Sequence, residues 1–160
     1  MRIGDGAVVL LPREGRPIEL GAFGVTVYAD GSTTNDAFSL IETAETDSGI
    51  GPPMHIHRDC AESFYVLAGA YRMFVDDRTF ECATGSFIYI PRGMRHTFVN
   101  TARSSRKLNL YTPSAMVGYF DELAAGLGAG MDASMLDAIA GRYAMEVVGP
   151  IPEAYLSDLE

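Results

Sequence analysis

A succession of short extended segments between residues 7 and 112 constrains the fold of this chain more than any other feature. Each segment is rich in β-branched or aromatic residues and is bounded by Gly, Pro, Asp or Asn. We predict strands at residues 7–11, 25–28, 38–43, 54–57, 63–67, 71–75, 79–82, 87–90, 96–100 and 107–111. Many short strands at this spacing are typical of a sandwich or a barrel, so the predicted fold class is all-β.

The pattern changes after Pro113. Apolar residues recur at helical spacing from Met116 to Leu127, and Ser114 is the predicted cap of this helix. A glycine-rich break follows, and a second helix is predicted over residues 133–143 with Asp132 as its cap. We therefore expect a β-barrel over residues 1–112, helices packed on it over residues 113–148, and an extended tail over residues 149–160.

Composition excludes some classes of partner. The 160-residue length favours one domain, and the formal net charge of −9 argues against nucleic acid, whose phosphates require a basic surface. No apolar run approaches the roughly 20 residues that span a bilayer, and residues 1–12 lack the long apolar core of a signal peptide. We expect a cytoplasmic protein without a membrane partner. Cys60 and Cys82 are expected as buried thiols, with a bridge between them as the alternative.

The three histidines of the chain suggest a metal site. His55 and His57 are two residues apart, so on a strand they point to the same face about 7 Å apart and can converge on one ion. Glu62 follows five residues after His57, which leaves room for a turn, and His96 opens another strand. The alternative is that each histidine is a hydrogen-bonded structural residue. The residues alone support these two interpretations about equally.

The glycines and prolines around these residues resemble the two motifs of the cupin superfamily. The first motif comprises Gly49, His55, His57, Glu62 and Gly69, and the second comprises Gly85, Pro91, Gly93, His96 and Asn100. Together they span residues 49–100, about a third of the chain. The resemblance implies a jelly-roll (cupin) β-barrel with a short C-terminal helical segment. It also implies that His55, His57, Glu62 and His96 bind one metal near one end of the barrel interior.

The ligand set narrows the chemistry but leaves the metal open. Three imidazoles and one carboxylate leave two positions of an octahedral ion for water, oxygen or substrate. A closed structural zinc site would favour cysteine ligands instead. We expect one divalent metal ion, and Fe, Ni, Mn, Co, Cu and Zn all remain possible.

Strand alternation indicates which side chains share the cavity with the ligands. If Glu62 and His96 point inward, so do Phe64, Val66 and Phe98. The facing of the other strands is ambiguous, because a slip of one residue inverts it. The predicted substrate pocket contains Tyr28, Phe38, Phe64, Val66, Met73, Phe87 and Phe98. Such a pocket suits a planar or hydrophobic small molecule; the alternative is that these residues merely pack the barrel.

Within the superfamily, the helices after Pro113 and the Gly-Arg-Tyr and Gly-Pro elements of residues 141–150 resemble bacterial quercetin dioxygenase-like single-domain cupins. This resemblance implies a metal-dependent dioxygenase that uses O₂ to cleave or oxidise a small aromatic or enolic substrate such as a flavonol. Glu62 would then be catalytic, as ligand and proton acceptor. The alternatives are a non-oxidative cupin (isomerase, cyclase or decarboxylase) and a small-molecule-binding cupin without turnover. A homodimer is the expected assembly.

Overall fold

Two antiparallel sheets carry inward side chains that meet in one interior. The computed structural model describes residues 2–3, 6–157 and 159. Its elements in chain order are β1 (Arg2–Ile3), β2 (Ala7–Val8), β3 (Arg16–Glu19), β4 (Phe23–Ala29), α1 (Gly31–Thr34), β5 (Ser39–Glu45), β6 (Met54–His57), β7 (Ala61–Ala68), β8 (Ala70–Val75), β9 (Arg78–Ala83), β10 (Phe87–Ile90), β11 (His96–Asn100), β12 (Ser105–Thr112), α2 (Val117–Gly128), α3 (Ala133–Arg142), β13 (Met145–Gly149) and a 3-10 turn (Glu153–Tyr155).

The strand order is that of a closed jelly roll. One sheet has the order β10-β7-β12-β5-β4-β3, the other has the order β13-β6-β11-β8-β9, and β1 pairs with β2. Every predicted strand overlaps an observed one, and the predicted bounds of β6, β10 and β11 match the observed bounds. The predicted all-β jelly-roll fold is confirmed. Strands β1, β3 and β13 and the short helix α1 were not predicted from the sequence.

The two C-terminal helices, α2 and α3, begin at different kinds of N-terminal cap. Helix α3 is capped as predicted, because the Asp132 carboxylate accepts a hydrogen bond from the Met135 amide at 3.0 Å. Helix α2 begins instead after Met116, whose φ is 69° and whose side chain makes no cap hydrogen bond. The prediction of Ser114 as the cap is therefore wrong by two positions. No helix among the described residues is long and apolar enough to cross a membrane.

The end of the chain returns to the barrel. Strand β13 pairs antiparallel with β6, which places Met145 opposite His57 and Val147 opposite His55. Beyond it, where an extended tail was predicted, the 3-10 turn buries Tyr155 to 4% exposure. The Tyr155 ring packs on Phe74, and its hydroxyl lies 3.1 Å from the Thr79 hydroxyl. Burial of this aromatic ring explains why the segment is folded rather than extended.

Two apolar clusters fill the molecule. The inner cluster lies within the barrel and contains Phe64, Val66, Tyr71, Met73, Cys82, Ile90 and Phe98. The other joins α2 and α3 to the barrel and includes Ile18, Val25, Ile41, Tyr111, Tyr119, Phe120 and Ile139. The helices thus pack on the barrel. Cys60 and Cys82 are both buried free thiols, so the alternative of a bridge between them does not hold.

Candidate metal centre

The four predicted ligand residues come together between the two sheets. His55 and His57 lie on β6, His96 lies opposite His55 on β11, and Glu62 comes from β7 of the other sheet. Each is at most 4% exposed. One ligand atom from each residue can be chosen so that all four lie within 4.8 Å of one another. The structure therefore places three imidazoles and one carboxylate at distances that suit a single ion.

The glycines of the two motifs hold this geometry. Gly93 has a φ of +78°, and its amide donates to the His57 carbonyl at 2.8 Å. This hydrogen bond ties the turn before His96 to the strand that carries the other two histidines. Gly69 has a φ of +74°, and a Cβ there would lie 2.8 Å from the Cα of Ser105. A side chain at either position would strain the backbone that sets the ligand strands.

The hydrogen bonds of two histidines fit a metal ion. Nδ1 of His55 donates to the Pro53 carbonyl at 2.8 Å, and Nδ1 of His96 donates to the Met94 carbonyl at 3.0 Å. In a neutral imidazole this leaves a lone pair on Nε2, the usual arrangement of a ligating histidine. Yet Nε2 of His96 lies 3.1 Å from Oε2 of Glu62. Two lone pairs at that distance repel each other unless a proton or a cation lies between them, so the donor set fits a bound cation.

The protonation states also suit metal binding. Burial lowers the pKa of His55 to about 3, and the neighbouring His96 and His57 add to the effect. Burial alone would raise the pKa of Glu62, but its contacts with His57 and His96 hold that pKa well below the ordinary value. The centre therefore combines a neutral imidazole with an ionised carboxylate, the forms that bind metals.

Two further residues contact the ligands from β12. The Asn109 amide donates to Oε1 of Glu62 at 2.9 Å, and the Tyr111 ring packs edge-on against His57 at 5.8 Å between centroids. Burial raises the pKa of Tyr111 well above its ordinary value, and the Glu62 charge adds to the increase. Neither residue was predicted from the sequence. Both fix the position of a ligand rather than provide another one.

A cavity of about 280 Å³ opens onto His55, His57 and Glu62. Its walls come from the barrel interior, from the loop before β6 and from the two C-terminal helices. The residues that line it are Phe23, Thr43, Glu45, Ile50, Gly51, Pro52, Pro53, His55, His57, Glu62, Phe98, Asn109, Tyr111, Met116, Tyr119, Phe120, Leu123, Leu127, Met131, Leu136 and Met145. The helices contribute apolar side chains, so they cover the ligands with an apolar wall.

The residues predicted for the substrate pocket occupy different places. Phe98 lines the cavity, whereas Phe64, Val66 and Met73 are buried in the inner apolar cluster. Tyr28 and Phe38 are half-buried outside the cavity lining, and the Tyr28 hydroxyl donates to Glu42 at 2.8 Å.

Phe87 lies on the outer surface and not in the cavity. It is 67% exposed and pairs in register with Tyr65, which is 45% exposed. The neighbouring pair of Ile88 and Phe64 faces inward instead. Phe87 was expected to face the interior. The alternation of β10 is shifted by one residue from that expectation, so the Phe87 side chain lies on the outer face.

Comparison with known proteins agrees with this geometry. Residues 44–108 match the family model of the cupin domain. Residues 44–108 thus resemble a cupin domain, within a chain whose fold is a jelly roll. The chain is 27% identical over 106 residues to quercetin 2,3-dioxygenase of Bacillus subtilis (strain 168). The matched region covers 66% of this chain and 31% of that protein. The chain thus spans less than two thirds of that relative.

Solved structures share the fold of this chain. The polyketide cyclase RemF from Streptomyces resistomycificus has a TM-score of 0.58 and 24% identity, covering 68% of this chain and 80% of its own. Pac13, a nucleoside dehydratase from Streptomyces, has a TM-score of 0.57 and 10% identity, covering 92% of this chain and 96% of its own. At these identities the likeness shows a common jelly roll.

Proposed function

We propose that this cupin is a metal-dependent enzyme, an oxygenase that acts on a small aromatic or enolic substrate. The observation that carries the proposal is the buried set of His55, His57, Glu62 and His96, the first three of which line an apolar cavity. A structural role would not require a cavity that reaches three of these four residues. The likeness to quercetin 2,3-dioxygenase supports the reaction class at 27% identity.

The roles of the residues follow from their positions. A bound divalent ion would stabilise a substrate anion and offer open positions to substrate and O₂. Glu62 would accept the proton of the acidic substrate hydroxyl, while Asn109 holds its other oxygen at 2.9 Å. The apolar side chains of Phe98, Tyr119 and Phe120 line the cavity and would hold the rings of the substrate and exclude water.

Oxygen consumption tests this proposal. The purified protein, loaded separately with Fe(II), Ni(II), Mn(II), Co(II) and Cu(II), is given a panel of flavonols and smaller enols in an oxygen electrode. We expect O₂ uptake coupled to substrate loss with at least one metal, and loss of turnover in Glu62→Gln. Glu42→Gln is the matched control, because Glu42 lies on the outer face and pairs with Arg106.

The other outcomes distinguish the alternatives. Product formation without oxygen would replace the oxygenase by an isomerase, cyclase or decarboxylase. Tight binding without any product would indicate a binding cupin without turnover.

We also propose a homodimer that forms through the outer face of β7 and β10. Three aromatic side chains there are strongly exposed: Tyr65 at 45%, Phe87 at 67% and Tyr89 at 57%. Strand β10 is also an edge strand, and both features favour association. Light scattering of the wild type should give twice the mass of the chain, and Phe87→Glu with Tyr89→Lys should give the monomer. The cytoplasmic location predicted from the sequence stays a prediction.

A further inference from the structure

A second group of polar side chains is buried within the barrel, apart from the metal ligands. Lys107 on β12 is fully buried, and its Nζ donates to Thr43 Oγ1 at 2.5 Å and to Glu45 Oε1 at 2.9 Å. The Tyr71 hydroxyl donates to the other oxygen of Glu45 at 2.5 Å. Thr43 and Glu45 lie two residues apart on β5, both 3% exposed. These four residues form one hydrogen-bonded group.

Stability alone does not account for this group. The Lys107 ammonium lies 3.9 Å from the centroid of the Phe98 ring and 4.7 Å from that of Tyr71. These contacts favour the cation, yet burial lowers the pKa of Lys107 despite the opposing effect of Glu45. Apolar residues of similar size commonly replace a buried ion pair without loss of stability. A barrel interior that only had to be filled would not need a lysine and a glutamate.

Two members of this group, Thr43 and Glu45, line the cavity. Asn109, which lies outside the group, lines it as well. A carboxylate offers about four acceptor positions, and the two oxygens of Glu45 each accept one hydrogen bond within the group. Oδ1 of Asn109 is buried and has no hydrogen-bond partner among the described residues. Among the residues of the cavity wall, Glu45 thus keeps unused acceptor capacity and Asn109 has an oxygen without a partner among the described residues, so a ligand that satisfies them must be a donor.

We propose that Thr43 and Glu45 form a second polar subsite, with Asn109 between it and Glu62, which binds a hydroxyl group of the ligand away from the metal centre. The ligand class rests on the proposed function. On β12, Tyr111 lies opposite Glu62 and Lys107 lies opposite Thr43. Four residues of strand correspond to about 13 Å. The cavity thus suits a molecule of two or three rings, with a metal-binding oxygen pair at one end and a hydroxyl towards the other.

The test compares two probes that differ by one hydroxyl. The full chain, loaded with Zn(II) under nitrogen so that no oxidation occurs, is titrated with 3-hydroxyflavone and with 3,4′-dihydroxyflavone. We expect the dihydroxy compound to bind the wild type about tenfold more tightly, as one added hydrogen bond to a charged acceptor provides. In the double variant Glu45→Leu with Lys107→Met, this ratio should fall to about one while affinity for 3-hydroxyflavone changes little.

Two further variants keep the test decisive. Thr43→Val retains the ion pair and should lower the ratio about threefold even if the double variant does not fold. Glu42→Gln, on the outer face of the same strand, should leave the ratio unchanged. The subsite is overturned if the two probes bind the wild type equally, if neither binds, or if the ratio persists in the folded double variant or in Thr43→Val.

The same titrations separate this proposal from the proposed function. His57→Ala should weaken the binding of both probes, because it alters the metal centre. The ratio of their two affinities should stay near tenfold, because the second subsite is unchanged. A protein that never consumes oxygen but retains the hydroxyl preference would contradict the oxygenase and leave the subsite in place.

Discussion

Nε2 of His57 lies 3.0 Å from Oε2 of Glu62, and this contact joins the two sheets of the barrel. The same carboxylate oxygen lies 3.1 Å from Nε2 of His96. One oxygen thus faces two ring nitrogens in an interior from which water is largely excluded. A cation between His96 and Glu62 would relieve the repulsion of their lone pairs. The fold thus brings these ligand atoms together between the two sheets.

Glu62→Gln should weaken metal binding strongly. The amide keeps the shape of the side chain but removes the negative charge that faces the two imidazoles. We expect the affinity for Zn(II) to fall at least about a hundredfold, since even loss of a residue that only supports a ligand costs 10–100-fold. Competition with a chromophoric chelator measures the change, and Glu42→Gln serves as the control. Equal affinity of Glu62→Gln and wild type would exclude Glu62 as a ligand.

Removing one partner of the Lys107–Glu45 ion pair should lower the free energy of unfolding more than replacing both partners by apolar residues. Glu45→Leu alone leaves a buried ammonium without its carboxylate, so we expect the free energy of unfolding to fall by about 3–5 kcal/mol. Glu45→Leu with Lys107→Met should bring it back to within about 1 kcal/mol of the wild type. Urea unfolding of the metal-free proteins measures both. Additive losses from the two single substitutions would contradict a coupled pair.

The metal ligands could be predicted from the sequence because their geometry is local. His55 and His57 share a face of one strand by its period of two, and Glu62 is one turn away. The motif glycines indicated the turns that bring His96 beside them. The spacing of strands and turns alone predicts only a sandwich or a barrel, and the jelly roll followed from the resemblance to the cupin motifs.

The second polar group could not be predicted, because β12 inverts the usual alternation. Lys107, Asn109 and Tyr111 face the interior, whereas Leu108 and Leu110 are partly exposed. A pattern that places apolar residues inside would give the opposite facing. The helical periodicity predicted α2 and α3, but nothing in it indicated that Tyr119 and Phe120 would line the cavity. That placement depends on packing between distant segments.

High pH should destabilise the fold through its buried tyrosines. Burial raises the pKa of Tyr119 to about 12, and burial with the Glu45 charge raises that of Tyr71 further. A raised folded-state pKa gives stability that is fully present below pH 10, the ordinary tyrosine value, and is lost as the pH rises through the folded-state value. The free energy of unfolding should therefore fall between pH 10 and 12.

Tyrosinate absorbance near 295 nm checks this prediction. The buried tyrosines should ionise together with the loss of structure, and Tyr119→Phe should unfold at a higher pH than the wild type. Ionisation of every tyrosine before any unfolding would contradict the buried positions of these two rings.

The packing of the two C-terminal helices over the cavity should depend on Phe120. This side chain is 9% exposed, lines the cavity and packs edge-on against Tyr119. Phe120→Ala should lower the free energy of unfolding by about 3 kcal/mol and weaken the binding of 3-hydroxyflavone. Met135→Ala in α3, where the side chain is 44% exposed, should change stability by less than about 0.5 kcal/mol. Similar effects of the two substitutions on stability and on binding would show that the helices do not cover the site.

The metal content of the purified protein tests the central claim most directly. Elemental analysis of protein prepared without chelators or added metal should find one divalent transition-metal ion per chain. The variants His57→Ala and Glu62→Gln should retain far less metal, while Glu42→Gln should retain the full amount. Wild-type protein that holds no metal, and takes up none of Fe, Ni, Mn, Co, Cu or Zn at micromolar concentration, would contradict the account.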